Sequence, residues 1–208
     1  MKLKVCGMTD VDQIRSLAKL GVDFAGMIFY KKSPRYVEGK ILPSELQVIS
    51  DRIKLTGVFV DEDLNFIKLK IKEYHLKAVQ LCGSETPELC RELKEYAEVI
   101  KVVHVGSGEI TQEQISNYAG ETDFFLFDTQ SEKYGGTGKK FDWNSLSATE
   151  ISRPFFLSGG ISIDDVGSIN SFAHDNFIGI DINSRFEIGP GIKDINQIKN
   201  FISQLQGI

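Results

Sequence analysis

The 208-residue chain has few cysteines, no long hydrophobic run and no excess of basic residues. Its three cysteines, Cys6, Cys82 and Cys90, are an odd number without an export signal, which favours reduced thiols in a cytosol over a disulfide framework. The apolar stretch near the N-terminus is too short for a signal peptide, and no run approaches the roughly 20 residues that span a bilayer. We therefore expect a cytoplasmic protein without a membrane partner.

Charge and histidine content exclude two further classes of function. The formal net charge is −5, so the balance does not favour a nucleic-acid partner, and an anionic ligand would need a local positive site. The three histidines are scattered, and none has a zinc-ligand spacing to the cysteines. A structural metal site is therefore not expected, whereas the 41% hydrophobic content is enough for a sizeable core.

The chain instead shows an alternation of short β-rich runs and longer helical patterns. The β-rich runs are nearly continuous apolar stretches, which suits parallel strands covered on both faces. Capping patterns mark helix starts near Thr9, Thr86, Thr111 and Ser162. The predicted strands are Leu3–Cys6, Phe24–Phe29, Lys54–Val60, Ala78–Leu81, Val99–Val103, Phe124–Phe127, Pro154–Leu157 and Phe177–Ile180.

Eight β/α units can close into a (β/α)8 TIM barrel, and the chain length lies at the short end of the range for that fold, roughly 200 residues and up. An open doubly wound sheet is the alternative that periodicity does not separate from it. No composition break or linker is visible, so we predict one domain over residues 1–208. In a barrel the active site lies at the C-terminal ends of the strands, and this rule selects the candidate residues.

Two candidates could exchange protons with a substrate. Cys6 ends the first strand and precedes a helix, whose N-terminus would favour the thiolate. The alternative is a buried cysteine that only packs. Asp128 follows the apolar run Phe124–Phe127, and such surroundings can raise the pKa of a carboxyl. Its alternative is a loop aspartate that bonds the backbone.

Two loops could hold or cover an anionic substrate. Arg35 lies in the basic segment Lys31–Tyr36, and its planar guanidinium suits a carboxylate, although such segments also form solvated surface. The glycine-rich segment Tyr134–Lys140 lacks the spacing of a P-loop. We interpret it either as a mobile loop that closes over substrate or as a plain turn.

Glycine-containing segments after strands seven and eight are placed where many barrels bind phosphate. The first segment follows strand seven and the second runs through strand eight. A glycine pair by itself also serves tight turns, so the position of both segments carries the prediction. The predicted phosphate-binding residues are Gly159, Gly160, Asp181, Asn183 and Ser184.

Several strings, taken together, resemble the phosphoribosylanthranilate isomerase family. They occur in the family's order and cover essentially the whole chain, and the set is far more specific than any one of them. The matching strings are Lys4–Thr9, Phe29–Val37, Gly57–Val60, Val79–Leu81, Phe127–Thr129, Gly135–Trp143, Ser158–Gly160, Gly179–Asp181 and Pro190–Asp194.

The resemblance implies a barrel that needs no cofactor and acts on a small phosphosugar. The reaction would be the Amadori rearrangement of N-(5'-phosphoribosyl)anthranilate to 1-(2-carboxyphenylamino)-1-deoxyribulose 5-phosphate in tryptophan biosynthesis. By the same resemblance, Asp128 is the general acid and Cys6 the general base. Arg35 would hold the anthranilate end and Gln80 would contact substrate, while the glycine segments would hold phosphate. We expect a monomer rather than a homodimer.

Two positions depart from the family pattern, and two other functions stay open. Cys82 stands where the family usually has histidine, so an imidazole is lost there, and Arg185 follows Ser184 where a glycine is usual. The alternatives are a related phosphate-sugar barrel enzyme and a degenerate barrel that only binds. Isomerases that act on both tryptophan and histidine precursors would use a carboxylate pair rather than Cys6, and the presence of Cys6, Asp128 and Arg35 opposes a degenerate barrel.

Overall fold

The computed structural model describes residues 1–49, 51–106, 112–129, 140–147 and 149–207. Within them, eight parallel strands close into a barrel in chain order. Because β1 pairs with β8 as well as with β2, the (β/α)8 barrel is confirmed and the open sheet is excluded. The strands are β1 (Lys2–Val5), β2 (Phe24–Ile28), β3 (Lys54–Phe59), β4 (Ala78–Leu81), β5 (Glu98–Val105), β6 (Phe124–Thr129), β7 (Phe155–Leu157) and β8 (Phe177–Ile182).

The described residues also form six α-helices outside the barrel, α1 (Val11–Lys19), α2 (Leu64–Glu73), α3 (Pro87–Leu93), α4 (Gln112–Ala119), α5 (Val166–Ser171) and α6 (Ile195–Gln206). None of these helices is both long and apolar enough to cross a membrane. The expected alternation is interrupted twice, since the described parts of the β2–β3 and β6–β7 connections contain short 3-10 turns, Pro43–Glu45 and Trp143–Leu146. In the first connection, Pro34 and Pro43 disfavour a continuous helix.

Side-chain caps fix where the helices begin. Asp10, rather than Thr9, caps α1 by accepting bonds from the backbone N–H of Asp12 at 2.8 Å and Gln13 at 3.1 Å. Such a cap typically contributes about 0.5–2 kcal/mol to stability. Thr86 caps α3 as predicted, whereas Ser162 starts a 3-10 turn that leads into α5. The start predicted near Thr111 lies outside the described residues.

Apolar side chains form two layers with different roles. The larger cluster packs between the strands and the helices around them. A smaller cluster fills the barrel interior and includes Phe24, Ala78 and Phe156, with the Phe24 and Phe156 rings edge to face at 5.5 Å. Phe24 and Ala78 begin their strands, so this plug lies toward the N-terminal end of the barrel. Polar side chains can therefore occupy the interior at the C-terminal end.

A small hairpin follows the barrel and folds back on its first loop. It consists of β9 (Glu187–Gly189) and β10 (Ile192–Lys193). Gln13 of α1 exchanges two hydrogen bonds of 2.8 Å with the backbone of Lys193. Thr9 donates to the carbonyl of Gly191 at 2.8 Å. Gly191 has no room for a side chain, because a Cβ on it would lie 2.5 Å from the Thr9 hydroxyl oxygen. The hairpin thus brings charged side chains to the end of β1.

Candidate active site

A cavity of about 350 Å³ opens at the C-terminal ends of the strands. The sequence-predicted site residues all line it, although they are spread over nearly the whole chain. They are Cys6, Arg35, Gln80, Asp128, Gly159, Gly160, Asp181, Asn183 and Ser184. The structure therefore brings the nine residues together, while the role of each stays a prediction that is taken up under the proposed function.

Strands β6 and β8 extend further than the apolar pattern predicts, as β5 also does, which changes the position of two acidic residues. Asp128 lies within β6, where it pairs in register with His104 of β5. Asp181 lies within β8, in register with Lys4 of β1. The parallel ladder continues through these polar residues because the backbone pairs whatever the side chain is. Both carboxylates are thus fixed by strand backbone and are not loop residues.

Asp128 combines partial burial with a raised pKa. Burial, followed by the negative charge of Asp181, raises the pKa of Asp128 to about 6, whereas His104 opposes the rise. One carboxylate oxygen accepts the backbone N–H of Thr129 at 2.9 Å. A carboxyl with this pKa holds a usable fraction of its protons near neutral pH, as a general acid requires.

Cys6 follows β1 directly, and its thiol is almost completely buried, with 4% exposure. Burial raises the pKa of the thiol above its ordinary value, and the positive charges of Lys4 and Lys193 oppose that rise. Helix α1 begins at Val11, five residues after Cys6, and the cations that act on the thiol are Lys4 and Lys193. The thiol is thus buried among positive charges.

Arg35 is held by an ion pair that the sequence analysis did not foresee. Its Nε and Nη2 donate to the carboxylate of Glu187 at 2.9 Å and 2.6 Å. Lys193 donates to Glu187 at 2.7 Å and to the Asn183 side chain at 2.8 Å. Lys31 and Lys32 of the same segment are exposed, whereas Arg35 is buried, so the alternative of a solvated basic loop does not hold for Arg35. Its guanidinium is instead fixed at the cavity wall.

Asp181 requires a change of assignment. Its carboxylate accepts the Lys4 ammonium at 3.0 Å, and the two side chains are 5% and 0% exposed. The phosphate-binding prediction for Asp181 does not agree with this geometry, because a carboxylate has no N–H donor and repels a phosphate. Asp181 therefore belongs with Lys4 at the base of the cavity.

The two glycines that were predicted to bind phosphate have a suitable backbone geometry. Gly159 and Gly160 follow β7 with φ of +92° and +66°, a region that strongly favours glycine. A Cβ on Gly159 would lie 2.2 Å from the Thr129 hydroxyl, so the chain passes too close for a side chain. Ser184 begins a 3-10 turn after β8, and Arg185 lines the cavity at the same place.

The third wall of the cavity consists of β4 and β5 side chains. Gln80 donates to the Cys82 sulfur at 3.2 Å, while its Oε1 is buried without a hydrogen-bond partner among the described residues. His104 Nε2 lies 2.9 Å from the carbonyl oxygen of Cys82. Because a carbonyl only accepts, Nε2 carries the hydrogen of this bond. His104 thus places an imidazole in the cavity beside Cys82.

Sequence reasoning missed four residues at this site: Lys4, His104, Glu187 and Lys193. Strand alternation could have found the first two, since Lys4 shares a face with Cys6, and His104 shares one with the interior residue Val102. No local signal identifies the other two, which lie on the β9–β10 hairpin and contact the lining residues Arg35 and Asn183. The predicted covering loop Tyr134–Lys140 lies outside the described residues except for Lys140, which pairs with Asp165 at 2.5 Å.

Comparison with known proteins gives the family. A family model described as N-(5'-phosphoribosyl)anthranilate (PRA) isomerase matches residues 3–204. The chain belongs to the phosphoribosylanthranilate isomerase family. It is 43% identical to the isomerase of Parabacteroides distasonis over 99% of this chain and 93% of the relative, and 42% identical to that of Phocaeicola vulgatus over 99% and 98%.

Solved structures agree with this family membership. The phosphoribosylanthranilate isomerase of Thermotoga maritima has a TM-score of 0.82 and 33% identity, with both chains covered completely. A second isomerase structure, in complex with reduced 1-(o-carboxyphenylamino)-1-deoxyribulose 5-phosphate, has a TM-score of 0.77 and 30% identity over both full chains. The predicted class, an isomerase of tryptophan biosynthesis, is confirmed.

Proposed function

We propose that this cavity rearranges N-(5'-phosphoribosyl)anthranilate with Asp128 as general acid and Cys6 as general base, in one catalytic domain over residues 1–208. The observation that carries the proposal is that a carboxyl with a pKa raised to about 6 and a thiol beside two lysines line the same cavity. An Amadori rearrangement needs one acid and one base directed at the same sugar. The two groups supply that pair without a metal or an organic cofactor.

The reaction divides into two proton transfers. Asp128 gives its proton to the ribose ring oxygen, the C1–O bond breaks, and the anilino nitrogen forms a protonated Schiff base with C1. The Cys6 thiolate then takes the proton from C2, and the C2–H electron pair forms the C1–C2 double bond of an enolamine. Tautomerisation to the ketose places a proton on C1 and a carbonyl at C2.

The two pKa directions decide which protonation state reacts. Asp128 titrates at about pH 6, and burial raises the pKa of Cys6 above its ordinary value. When Asp128 and Cys6 hold one proton between the two of them, the proton is on the Cys6 thiol most of the time. The reactive state, with the proton on Asp128 and Cys6 as thiolate, is the minor one. Interactions that stabilise the thiolate therefore increase the reactive fraction directly.

Substrate binding divides between the two ends of the cavity. Arg35 suits the anthranilate carboxylate, because a guanidinium has five N–H donors and Glu187 fixes its orientation without using all of them. Gly159, Gly160, Asn183 and Ser184 are assigned to the phosphate, and Arg185 adds a cation on that side. Gln80 Oε1 is buried and has no hydrogen-bond partner among the described residues, so it is suited to accept a hydrogen bond from a sugar hydroxyl.

The remaining proposals concern the setting of the enzyme. We assign a small phosphosugar as the substrate and the cytoplasm as the location. A structure of the Thermotoga maritima relative is described as containing monomers generated from a dimeric isomerase, so both states occur among relatives. A monomer stays our prediction for this chain, and light scattering over a range of protein concentrations tests it.

Steady-state kinetics on Cys6→Ala test the proposed function. We expect kcat to fall by about 10²–10⁴-fold, the usual contribution of a positioned acid or base. Cys90→Ala is the matched control, because Cys90 is a buried thiol of α3 outside the cavity. Near wild-type turnover in Cys6→Ala would remove the thiol from the mechanism. Growth of a tryptophan auxotroph that lacks this isomerase, but not of a histidine-requiring strain, tests the narrow substrate assignment.

A further inference from the structure

Lys4 is a lysine with no exposed surface, placed two residues before Cys6 at the start of the chain. Alternate residues of a strand face the same side, so the two side chains both point into the barrel. The Lys4 ammonium donates to Asp181 at 3.0 Å, and that carboxylate is also buried. Burial of a lysine is costly even when it is paired, which raises the question of what this charge does.

Gly26 of β2 shows how closely Lys4 and Cys6 approach one another. A Cβ built on Gly26 would stand 3.0 Å from the Cys6 sulfur and 3.2 Å from the Lys4 nitrogen. Sulfur and ammonium therefore border the same small space, which exists because Gly26 has no side chain. An ammonium has three N–H donors, so the bond to Asp181 does not exhaust its capacity.

The charged groups around the thiol carry a net positive charge. Lys4, Lys193 and Arg35 contribute three positive charges, and Asp181 and Glu187 contribute two negative ones. A single positive charge is thus left to balance an anion in the cavity. The charged or titratable groups that interact electrostatically with Cys6 are Lys4, Asp181, Lys193, Arg35 and Cys82.

Lys4 keeps its proton and is therefore not itself the base. Burial alone would lower the pKa of Lys4, but the charge of Asp181 raises it overall above the ordinary value. We propose that Lys4 is a positioning residue for the isomerisation, whose ammonium, oriented by Asp181, stabilises the thiolate of Cys6. This inference rests on the proposed function of Cys6 as the base.

A second buried ion pair shows what a purely structural lysine looks like. Lys101 of β5 donates to Glu85 at 2.7 Å and to the carbonyl of Gly83 at 2.6 Å, with side-chain exposures of 4% and 1% for the pair. These hydrogen bonds hold the loop after β4 in place, and Lys101 does not line the cavity. Lys101→Met is therefore a matched control for the loss of one buried ammonium.

The test is the pH dependence of Cys6 alkylation by iodoacetamide in the full chain. Peptide mass spectrometry separates modification of Cys6 from that of Cys82 and Cys90. In Lys4→Met we expect the apparent pKa of Cys6 to rise by about 1 or more, the usual effect of removing an adjacent opposite charge. Lys101→Met should leave that pKa unchanged.

Asp181→Asn gives the opposite sign, because it removes a negative charge that raises the pKa of the thiol. We expect its Cys6 profile to move to lower pH. Opposite shifts in the two variants support the proposal, since a purely structural pair would shift neither profile or both in the same direction. Thermal melts report whether each variant folds. If Lys4→Met does not fold, Lys4→Gln takes its place, and an unchanged or lowered pKa of Cys6 in a folded Lys4 variant overturns the proposal.

Kinetics separate this inference from the function on which it rests. In Lys4→Met we expect kcat/KM near neutral pH to fall about tenfold each time the pKa of Cys6 rises by 1, because the reactive fraction falls with it. If Cys6→Ala retains turnover, the proposed base is wrong. If Cys6→Ala is inactive while Lys4→Met shows the wild-type alkylation profile, only the role of Lys4 is wrong.

Discussion

The two sides of the cavity differ in how they hold a proton. One side, here the ion-paired wall, surrounds Cys6 with Lys4, Arg35, Asp181, Glu187 and Lys193. The other side, the β4–β6 wall, presents Gln80, Cys82, His104 and Leu126 beside Asp128. A thiol loses its proton more easily among cations, and a carboxyl keeps its proton more easily when it is buried. The proposed acid therefore lies where its proton is retained, and the cations beside the proposed base offset part of the cost of burying its thiolate.

The acid and the base are distinguished by their surroundings and not by their ordinary pKa values. In water a carboxyl is the stronger acid by several pKa units and would be the natural base. Burial on the β4–β6 wall brings the pKa of Asp128 to about 6, and the lysines of the ion-paired wall act against the burial of Cys6. Burial thus raises both pKa values, and the lysines limit the rise for the thiol.

The largest expected effect comes from Asp128→Asn, which leaves the β4–β6 wall without its acid. We expect kcat to fall by about 10²–10⁴-fold, since an amide does not donate a proton to the ring oxygen. Steady-state kinetics measure this loss, and Asp142→Asn, a change at the cap of a 3-10 turn outside the cavity, is the control. A variant that turns over at the wild-type rate would show that the wall does not supply the acid.

The same substitution should stabilise the fold at high pH. The pKa of Asp128 rises from 3.8 to about 6 on folding, so above pH 6 the ionised carboxyl disfavours the folded state, and below about pH 4 the effect disappears. We expect the free energy of unfolding to increase by about 1–3 kcal/mol at pH 8, and by less at pH 5. Urea unfolding at both pH values checks this, and a loss of stability at pH 8 would contradict the raised pKa.

A smaller effect is expected from Arg35→Ala on the ion-paired wall. Loss of a charge-assisted bond of about 1.5–3 kcal/mol should raise KM by about 10–100-fold and change kcat less. Arg35→Lys keeps the charge but loses the planar fork, so we expect an intermediate KM. Initial rates over a range of substrate concentrations give both constants. An unchanged KM in Arg35→Ala would remove this residue from the anthranilate end.

The smallest expected effect is on the pH profile. Because the singly protonated pair reacts, kcat/KM should rise through about pH 6 and fall only above the raised pKa of the thiol. In His104→Gln, loss of the electrostatic effect by which His104 lowers the pKa of Asp128 should move the lower limb upward by less than about one pH unit. An activity maximum below pH 6 would contradict this assignment of the proton.

Much of the barrel was predictable because buried parallel strands leave a plain sequence pattern. The run Ala78–Leu81 was predicted with the bounds that the structure shows, and the other strands differ by one to two residues at an end. Four strands were predicted one residue too far at one end, whereas the two-residue errors fall where polar residues continue a strand, as at His104 and Asp128. Apolar patterning stops there because these side chains face the cavity, while the backbone ladder goes on.

The candidate site was predictable in part for the same reason. Cys6, Arg35 and Asp128 could be selected because a barrel collects its strand ends at one mouth. Their surroundings could not, since Glu187 and Lys193 come from a hairpin whose position depends on contacts of Gln13 and Thr9. Asp181 was assigned to phosphate because its partner Lys4 is 177 residues away in the sequence.

By itself the sequence determined the barrel, the family and nine of the residues that line the cavity, because apolar period, strand-end position and ordered motifs are local properties. Only the tertiary structure decided that Asp181 pairs with Lys4, that Glu187 orients Arg35, and that Gly26 leaves room for an ammonium beside a thiol. The physical reason is that charge interactions and burial depend on distance in space. Those distances are fixed only when β8 closes the barrel against β1.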